Sequence, residues 1–220
     1  MISISIHNLI FYYENSSDFE LRIDNMKIQV DGIVGIVGDS GSGKTTFVKL
    51  LAGLEKPRQG VIIFNHSDCN SLYIPQFPEK ILIGGTVKKS VSLIFKNKKN
   101  YDKSIDLFKS ILSFFDINYL EIMNRFGFEL SMGELRKLAI SMGIAANPNL
   151  LILDEPSVGL DWQSKSKLEK LLKEQIHGNV IIASHDRNFI DRVCDDIYLI
   201  DNGTILLPMK KKEDRVIQSI

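Results

Sequence analysis

The stretch GDSGSGKTT packs three glycines and one lysine directly behind the apolar run GIVGIV. Its residues are Gly38, Asp39, Ser40, Gly41, Ser42, Gly43, Lys44, Thr45 and Thr46, and they match G-x-x-x-x-G-K-S/T between a strand and a helix. Glycine weakens a packed element but lets the backbone fold tightly. Amide groups pointing into such a loop, at a helix N-terminus, form a nest for an anion. A polyphosphate fits: Gly41 and Gly43 let the amides approach, Lys44 reaches the β- and γ-oxygens, and Thr45 offers its hydroxyl to Mg²⁺. LLILDEP ends an apolar run on Asp154 and Glu155, and Pro156 stops it. Alone, two acids at a strand end read equally well as a solvated turn or a helix cap. Beside a phosphate loop, Asp154 can hold the metal through its water shell, and Glu155 can take a proton from an attacking water. NVIIASHD ends at His185 and Asp186. A single histidine is usually structural, but α/β folds build sites beyond the C-terminal ends of their strands. His185 is therefore a candidate γ-phosphate contact.

The elements that must position these residues are legible in outline. Apolar and polar residues alternate over Ile2–Ile6 and, with breaks, over Phe19–Val30, with a turn at Asn15–Asp18 between them. IVGIV is apolar on both faces, as a buried parallel strand is. TTFVKLLAGL has helical spacing and ends at Gly53, a C-cap. Short strands follow at Val61–Phe64 and Leu72–Ile74. From Phe77 to Glu129 the texture turns mostly helical, as in DKSIDLFKSILSFFDI, with KNKKN an exposed loop. Ser131 opens a further helix, with Glu134 at capping-box distance. LLILDEP and NVIIASHD are buried strands flanking the amphipathic helix KSKLEKLLKEQI, and IYLIDNGTIL is a hairpin with Asn-Gly at its turn.

The chain of 220 residues suits one domain with room for a real core. With 27 basic and 27 acidic residues the net charge is zero, unlike a strongly basic nucleic-acid binder. The two cysteines, Cys69 and Cys194, show no metal spacing and suit a reducing compartment. No basic leader precedes the first strand, so no signal peptide is expected. No apolar run approaches the roughly 18 residues of a membrane span. Work at a membrane would thus go through a partner. Lys96, Lys98, Lys99 and Lys210–Lys212 read as solvated charge, and Trp162 is given no role.

LSMGE, Leu130–Glu134, joins the other motifs into a series. With GDSGSGKTT, Gln76 in YIPQ, LLILDEP, SVGLD and ASHD, it resembles the ABC ATPase family over nearly the whole chain and in the family's order. GDSGSGKTT is similar to Walker A, Gln76 to the Q-loop glutamine, LSMGE to the LSGGQ signature, LLILDEP to Walker B, SVGLD to the D-loop and His185 to the switch histidine. The resemblance implies an α/β fold: a P-loop NTPase core, an N-terminal antiparallel β portion and an inserted α-helical subdomain over 77–146, within one domain spanning 1–220. It implies ATP and Mg²⁺ as cofactors and an ATPase whose catalytic set is Lys44, Glu155 and His185. The metal would meet Thr45, Gln76 and Asp154. The nucleotide would meet Gly38–Thr46, Gln76, Ser131, Gly133 and Glu134. Met132 stands where the family usually has glycine. An aromatic should stack on adenine; Tyr13 fits best and Tyr12 is its rival.

The resemblance further implies two such domains paired head to tail around two ATPs. Each site would take its signature serine from the other subunit, with the helix behind Ser131 aiming a positive dipole at the γ-phosphate. The implied partners are a second ABC ATPase subunit, identical or different, and transmembrane transporter subunits, at the cytoplasmic face of the cell membrane; nucleic acid is not implied. FPEKILIGGTVKKSV is similar to the pattern of cobalt-type and energy-coupling-factor ATPases at Pro78, Glu79, Thr86 and Val87, and departs from it at Phe77 and Ile81. That branch energises uptake of vitamins and transition metals. The chain stops soon after NGTIL, as its shorter members do. A helix of a transmembrane subunit is expected to dock on Phe77, Ile81, Leu82, Ile83 and Val87. The alternatives are an ABC exporter subunit or a non-transport ABC ATPase. The latter inserts coiled coils or zinc-binding cysteines in the helical region, and this sequence has neither. A module that binds ATP without hydrolysis would need neither Glu155 nor His185.

Overall fold

The computed structural model describes residues 1–14, 19–66, 69–82, 85–96, 100–176 and 178–210, with Lys80, Gln175 and 207–210 described by backbone alone. The expected turn at Asn15–Asp18, and Ile83, Lys98, Lys99, Lys211 and Lys212, lie outside the described residues. The first elements are β1 (Ile2–Phe11), β2 (Leu21–Val30), β3 (Ile33–Val37), α1 (Lys44–Leu51), β4 (Gln59–Phe64) and β5 (Ser71–Ile74). A helical stretch follows: α2 (Val87–Phe95), α3 (Tyr101–Phe114), α4 (Tyr119–Met123) and α5 (Met132–Ala145), with 3-10 turns at Pro78–Ile81 and Gly127–Glu129. The chain then forms β6 (Leu150–Asp154), α6 (Trp162–Gln175), β7 (Asn179–Ser184), α7 (Arg187–Val193), β8 (Asp196–Asp201) and β9 (Thr204–Lys210).

β2, β1 and β4 make an antiparallel sheet in that order. Alternation buries Ile2, Ile4, Ile6, Leu9 and Phe11 along β1. The strand runs five residues past the expected Ile6, because the alternation breaks without ending it. His7 and Asn8 both face solvent, Asn8 takes φ +46°, and the register against β4 shifts between His7 and Ile10. This is a β-bulge, which hides period-2 patterning. Gly60, at φ +80°, lies against the bulge, where a Cβ would come within 2.3 Å of the His7 and Asn8 carbonyls.

The second sheet has the order β5-β6-β7-β3-β8-β9. β5, β6, β7, β3 and β8 are mutually parallel, so their C-terminal ends share one edge. Every residue of β3 and β6 is buried, as strands covered on both faces require. β9 returns antiparallel through Asn202 (φ +43°) and Gly203 (φ +73°), the two positive angles that an Asn-Gly hairpin turn supplies.

Three clusters of buried side chains hold the layers together. The antiparallel sheet and α1 cover one face of the parallel sheet, through Ile4, Leu21, Phe47, Ile152 and Ile181 among others. α5, α6 and α7 cover the other face, through Ile140, Leu168, Leu171, Phe189 and Ile182. A third cluster joins α2, α3, α4 and α5 around Val91, Phe95, Phe108 and Leu138. α5 serves the last two at once, with Ala139, Ile140 and Ile144 toward the sheet and Leu135, Leu138 and Met142 toward the helices. A helix apolar on nearly all sides must be buried. Val87 is fully buried in the third cluster, which also takes Ile81 and Leu82. Val87 therefore packs the helices and presents nothing to a docking partner, contrary to the sequence expectation.

α7 is absent from the sequence reading. It is a seven-residue helix capped by Asp186, whose side chain accepts from Phe189 N–H at 2.9 Å. The expected glycine stop of α1 is present. Gly53 (φ +71°) and Leu54 donate their N–H groups to the Leu50 and Lys49 carbonyls at 3.1 and 2.9 Å, a Schellman motif.

Candidate functional site

The phosphate loop leaves β3 at Val37 and enters α1 at Lys44. Gly41 and Gly43 hold φ +83° and +108°, angles that L side chains rarely adopt. Gly38 is needed for closeness: a Cβ there would sit 2.2 Å from the Ile200 carbonyl. The loop is buttressed from the far end of the chain, since Gly203 N–H donates to the Ser42 carbonyl at 3.0 Å and Arg22 N–H donates to the Gly203 carbonyl at 2.8 Å. The Ser42 hydroxyl is buried and has no hydrogen-bond partner among the described residues. Lys44 is 5% exposed, and its ammonium donates to the Gly38 and Asp39 carbonyls at 2.8 Å each. Burial pulls the Lys44 pKa below its ordinary value, against the charges of Glu155, Asp154 and Asp39. An anion brought into the loop offers this ammonium a better partner than two neutral carbonyls.

β6 sits two strands from β3, with β7 between them, so Asp154, Glu155 and His185 arrive at the same sheet edge as the loop. Thr45 Oγ1 donates to Asp154 Oδ1 at 3.2 Å, and Tyr73 OH donates to Asp154 Oδ2 at 2.8 Å. Burial raises the Asp154 pKa, opposed by the hydrogen bonds from Tyr73 and Thr45. A hydroxyl and a carboxylate side by side suit Mg²⁺, a hard cation that keeps waters and takes few protein oxygens. Among the described residues no group of three or more His, Cys, Asp or Glu forms a fuller protein cage. Glu155 is 5% exposed and held at φ +49°, a conformation that costs a non-glycine residue about 1–3 kcal/mol. Its Oε1 lies 3.9 Å from Lys44 Nζ and 2.9 Å from His185 Nδ1.

Tyr13 and Tyr12 separate clearly. Tyr13, Phe19, Gly41, Gly43, Lys44, Thr45 and Thr46 line a cavity of about 370 Å³. Tyr13 OH lies 3.3 Å from Thr46 Oγ1, and its ring meets Phe11 edge-on at 4.9 Å. Tyr12 turns away, its ring under the Arg58 guanidinium at 5.5 Å. Phe19 is a second aromatic in the cavity that sequence reasoning did not find, because it reads as one more apolar residue of a strand.

Gln76 follows β5, beside β6, and its main-chain carbonyl accepts from Arg136 Nη2. Arg136 Nη1 donates to the Pro75 carbonyl at 3.3 Å. This arginine is 2% exposed and comes from α5, so it ties the Gln76 segment to the helix that LSMGE opens. Ser131 caps α5 as expected. Its hydroxyl accepts from Glu134 N–H at 3.2 Å, and Ser131 N–H donates to Glu134 Oε2 at 2.8 Å. Partial burial works against the Glu134 carboxylate, but hydrogen bonds from Ser131 and Arg125 hold its pKa below the ordinary value. A Cβ on Gly133 would lie 3.7 Å from the Gly159 carbonyl, so LSMGE borders SVGLD. Ser131 is exposed, Met132 is 51% exposed, and neither lines the cavity at the phosphate loop. One chain thus brings together Lys44, Thr45, Asp154, Glu155 and His185, while Ser131 and Glu134 bond each other at the start of α5.

Residues 21–158 match the ABC transporter family. The energy-coupling factor transporter ATP-binding protein EcfA2 of Staphylococcus aureus (strain USA300) is 30% identical over 234 residues, which cover 96% of this chain and 81% of that protein. This chain belongs to the ABC transporter family. It is an ATPase, with ATP hydrolysis coupled to transport. The solved structure of cbiO1 from Clostridium perfringens, described as part of the ABC transporter complex cbiONQ, superimposes with a TM-score of 0.73 at 25% identity, covering 96% of this chain and 89% of that one. The ATP-binding cassette MJ0796, a dimer bound to ADP and Pi, shares the fold with a TM-score of 0.73 at 21% identity, over 95% of this chain and 99% of that one. In this ABC ATPase, Tyr13→Ala is expected to weaken ATP binding roughly 2- to 10-fold, the loss of one aromatic stack, with kcat largely kept. Titration with a fluorescent ATP analogue measures it, and a larger loss in Tyr12→Ala would reverse the assignment.

Proposed function

We propose that this ABC ATPase drives solute uptake, of a vitamin or a transition metal, as a peripheral subunit at the cytoplasmic face of a membrane. One observation carries the reading: the loop, the acids and the histidine converge, while the serine that caps α5 stands exposed and is bonded to Glu134 of its own helix. A second ATPase subunit, identical or different, supplies that serine to each site. EcfA2 is named for an energy-coupling factor transporter and cbiO1 for the complex cbiONQ, which favours uptake over export. Residues 1–220 act as one ATPase domain, in which 77–146 moves as a helical subdomain.

Each residue then has a task. The loop amides and Lys44 bind the β- and γ-phosphates, with Lys44 leaving the Gly38 and Asp39 carbonyls to do so. Tyr13 stacks on the adenine. Thr45, Asp154 and Gln76 hold Mg²⁺, which neutralises phosphate charge when bound. Glu155 takes a proton from the water that attacks the γ-phosphorus, and ADP departs with the bridging oxygen. His185 turns from Glu155 to the γ-phosphate. Ser131 and Gly133 offer that phosphate the N-terminus of α5 from the other subunit, and Glu134 fixes the serine.

A transmembrane subunit docks beside Gln76. Phe77 is 51% exposed, Phe126 43% and Phe128 86%; the last two rings stack at 5.3 Å, and Gly127 between them lies against Leu82. Phe128→Asp is expected to leave ATP hydrolysis within about threefold and to lower uptake at least tenfold, as a charge does at a desolvated anchor. Hydrolysis and solute uptake are measured together on the assembled transporter in vesicles. Full uptake in that variant would move the docking surface elsewhere, and failure of every vitamin and transition metal tested to be taken up would sink the importer reading.

A further inference from the structure

Glu155 is gripped at both carboxylate oxygens. Oε2 accepts a hydrogen bond from Ser184 Oγ at 2.8 Å. Oε1 accepts from His185 N–H at 2.9 Å and lies 2.9 Å from His185 Nδ1. The two side chains that hold it differ in freedom. The His185 side chain is 52% exposed. Ser184 is fully buried, as the last residue of β7, and cannot swing. Its hydroxyl also accepts from Asp186 N–H at 3.1 Å. An ionised carboxylate only accepts, so the one hydroxyl proton points at Glu155.

We propose that Ser184 is a positioning residue for ATP hydrolysis. It pins Oε2 of Glu155, so that when the His185 ring turns to the γ-phosphate, Oε1 loses only the ring contact, keeps the His185 N–H and stays in place as the base. This rests on the reading of Glu155 as the general base. In the step itself, the water oxygen bonds to the γ-phosphorus and the bond to the β–γ bridging oxygen breaks. That oxygen leaves on ADP with the electron pair, one water proton passes to Oε1, and Ser184 keeps its own proton. Without Ser184 the carboxylate would keep the His185 N–H on Oε1 but lose its hold on Oε2 at the moment the His185 ring leaves. The competing role is local: Ser184 would serve only the turn, through Asp186 N–H.

The test compares Ser184→Ala and Ser184→Cys, alone and combined with Glu155→Gln, in the assembled ATPase. The thiol is larger than the hydroxyl, keeps a group in its place and is a weak donor. Both variants should lower kcat roughly 10- to 100-fold, the worth of one hydrogen bond to a charged group. Affinity for a fluorescent ATP analogue should stay within about threefold, and in the Glu155→Gln background neither should slow single-turnover hydrolysis further. Wild-type kcat in folded Ser184→Ala, restored kcat in Ser184→Cys, or losses that multiply with Glu155→Gln would overturn the proposal. If Ser184→Ala melts early and loses ATP binding, Ser184→Cys decides alone. Fast hydrolysis by Glu155→Gln would remove the base reading itself; an inert Glu155→Gln beside an active Ser184→Ala removes only the role of Ser184.

Discussion

Glu155→Gln should bind ATP and hydrolyse it about 10²- to 10⁴-fold more slowly, the usual cost of removing a general base. The amide is close in shape to the carboxylate: its one oxygen can keep the His185 N–H, and its NH₂ group then donates to Ser184 Oγ, reversing that bond. The left-handed backbone at φ +49° is equally open to glutamine. Binding should survive because the loop, Lys44, Thr45 and Asp154 are untouched. The change removes only the capacity to take a proton, so it appears in turnover and not in affinity. The variant should therefore accumulate with ATP in place, as a closed pair of subunits visible by size exclusion with MgATP and absent with ADP. Wild-type turnover would exclude Glu155 as the base. A variant saturated with ATP yet strictly monomeric, with any natural ATPase partner supplied, would count against sites shared between subunits.

Lys44→Ala should lose ATP affinity by about 100-fold or more, since a buried cation makes several charge-assisted hydrogen bonds to the phosphates. The ammonium is 5% exposed, so water cannot replace it cheaply. It also lies 3.9 Å from Glu155, in a pocket that holds Asp154 as well. Removing that cation leaves Asp154 and Glu155 without its charge beside the incoming phosphates. Lys44→Met separates charge from volume: it keeps the stem and should lose binding as fully as alanine. Equilibrium binding of ATP to both variants measures this. Near-normal affinity in Lys44→Met would assign the effect to packing rather than to charge.

The parts legible in the sequence are those written in contiguous residues. The glycine spacing of 38–43 states a backbone conformation, and φ +83° and +108° at Gly41 and Gly43 answer to it. The all-apolar β3 and β6 state burial on both faces, and Ser131 with Glu134 states a cap. What escaped the sequence is made by pairing distant residues. Ser184 meets Glu155 across 29 positions, Tyr73 meets Asp154 across 81, and Arg136 reaches Pro75 across 61. A serine before a histidine or a tyrosine in a short strand carries no sign of its partner. The expected docking role of Val87 failed for a related reason. Apolar character is the same for a residue awaiting a partner as for one already packed, and only the fold assigns Val87 to the helical core. The bulge at Asn8 is illegible because period-2 reasoning has no term for an extra residue.

The phosphate loop is translated early and completed late. Ribosomes deliver the chain from the N-terminus at roughly 5–20 residues per second. The loop leaves β3, a strand whose neighbours in the sheet are β7 and β8. The Ser42 carbonyl waits for Gly203 N–H, and Gly38 waits for the Ile200 backbone. Residues 38–46 therefore emerge as sequence well before they can exist as a cradle. The hairpin that braces the loop is among the last described parts to appear. A nascent chain that ends in the helical stretch carries the glycines and the lysine but not the Gly203 brace, nor the strands β6 and β7 that bring Asp154, Glu155 and His185.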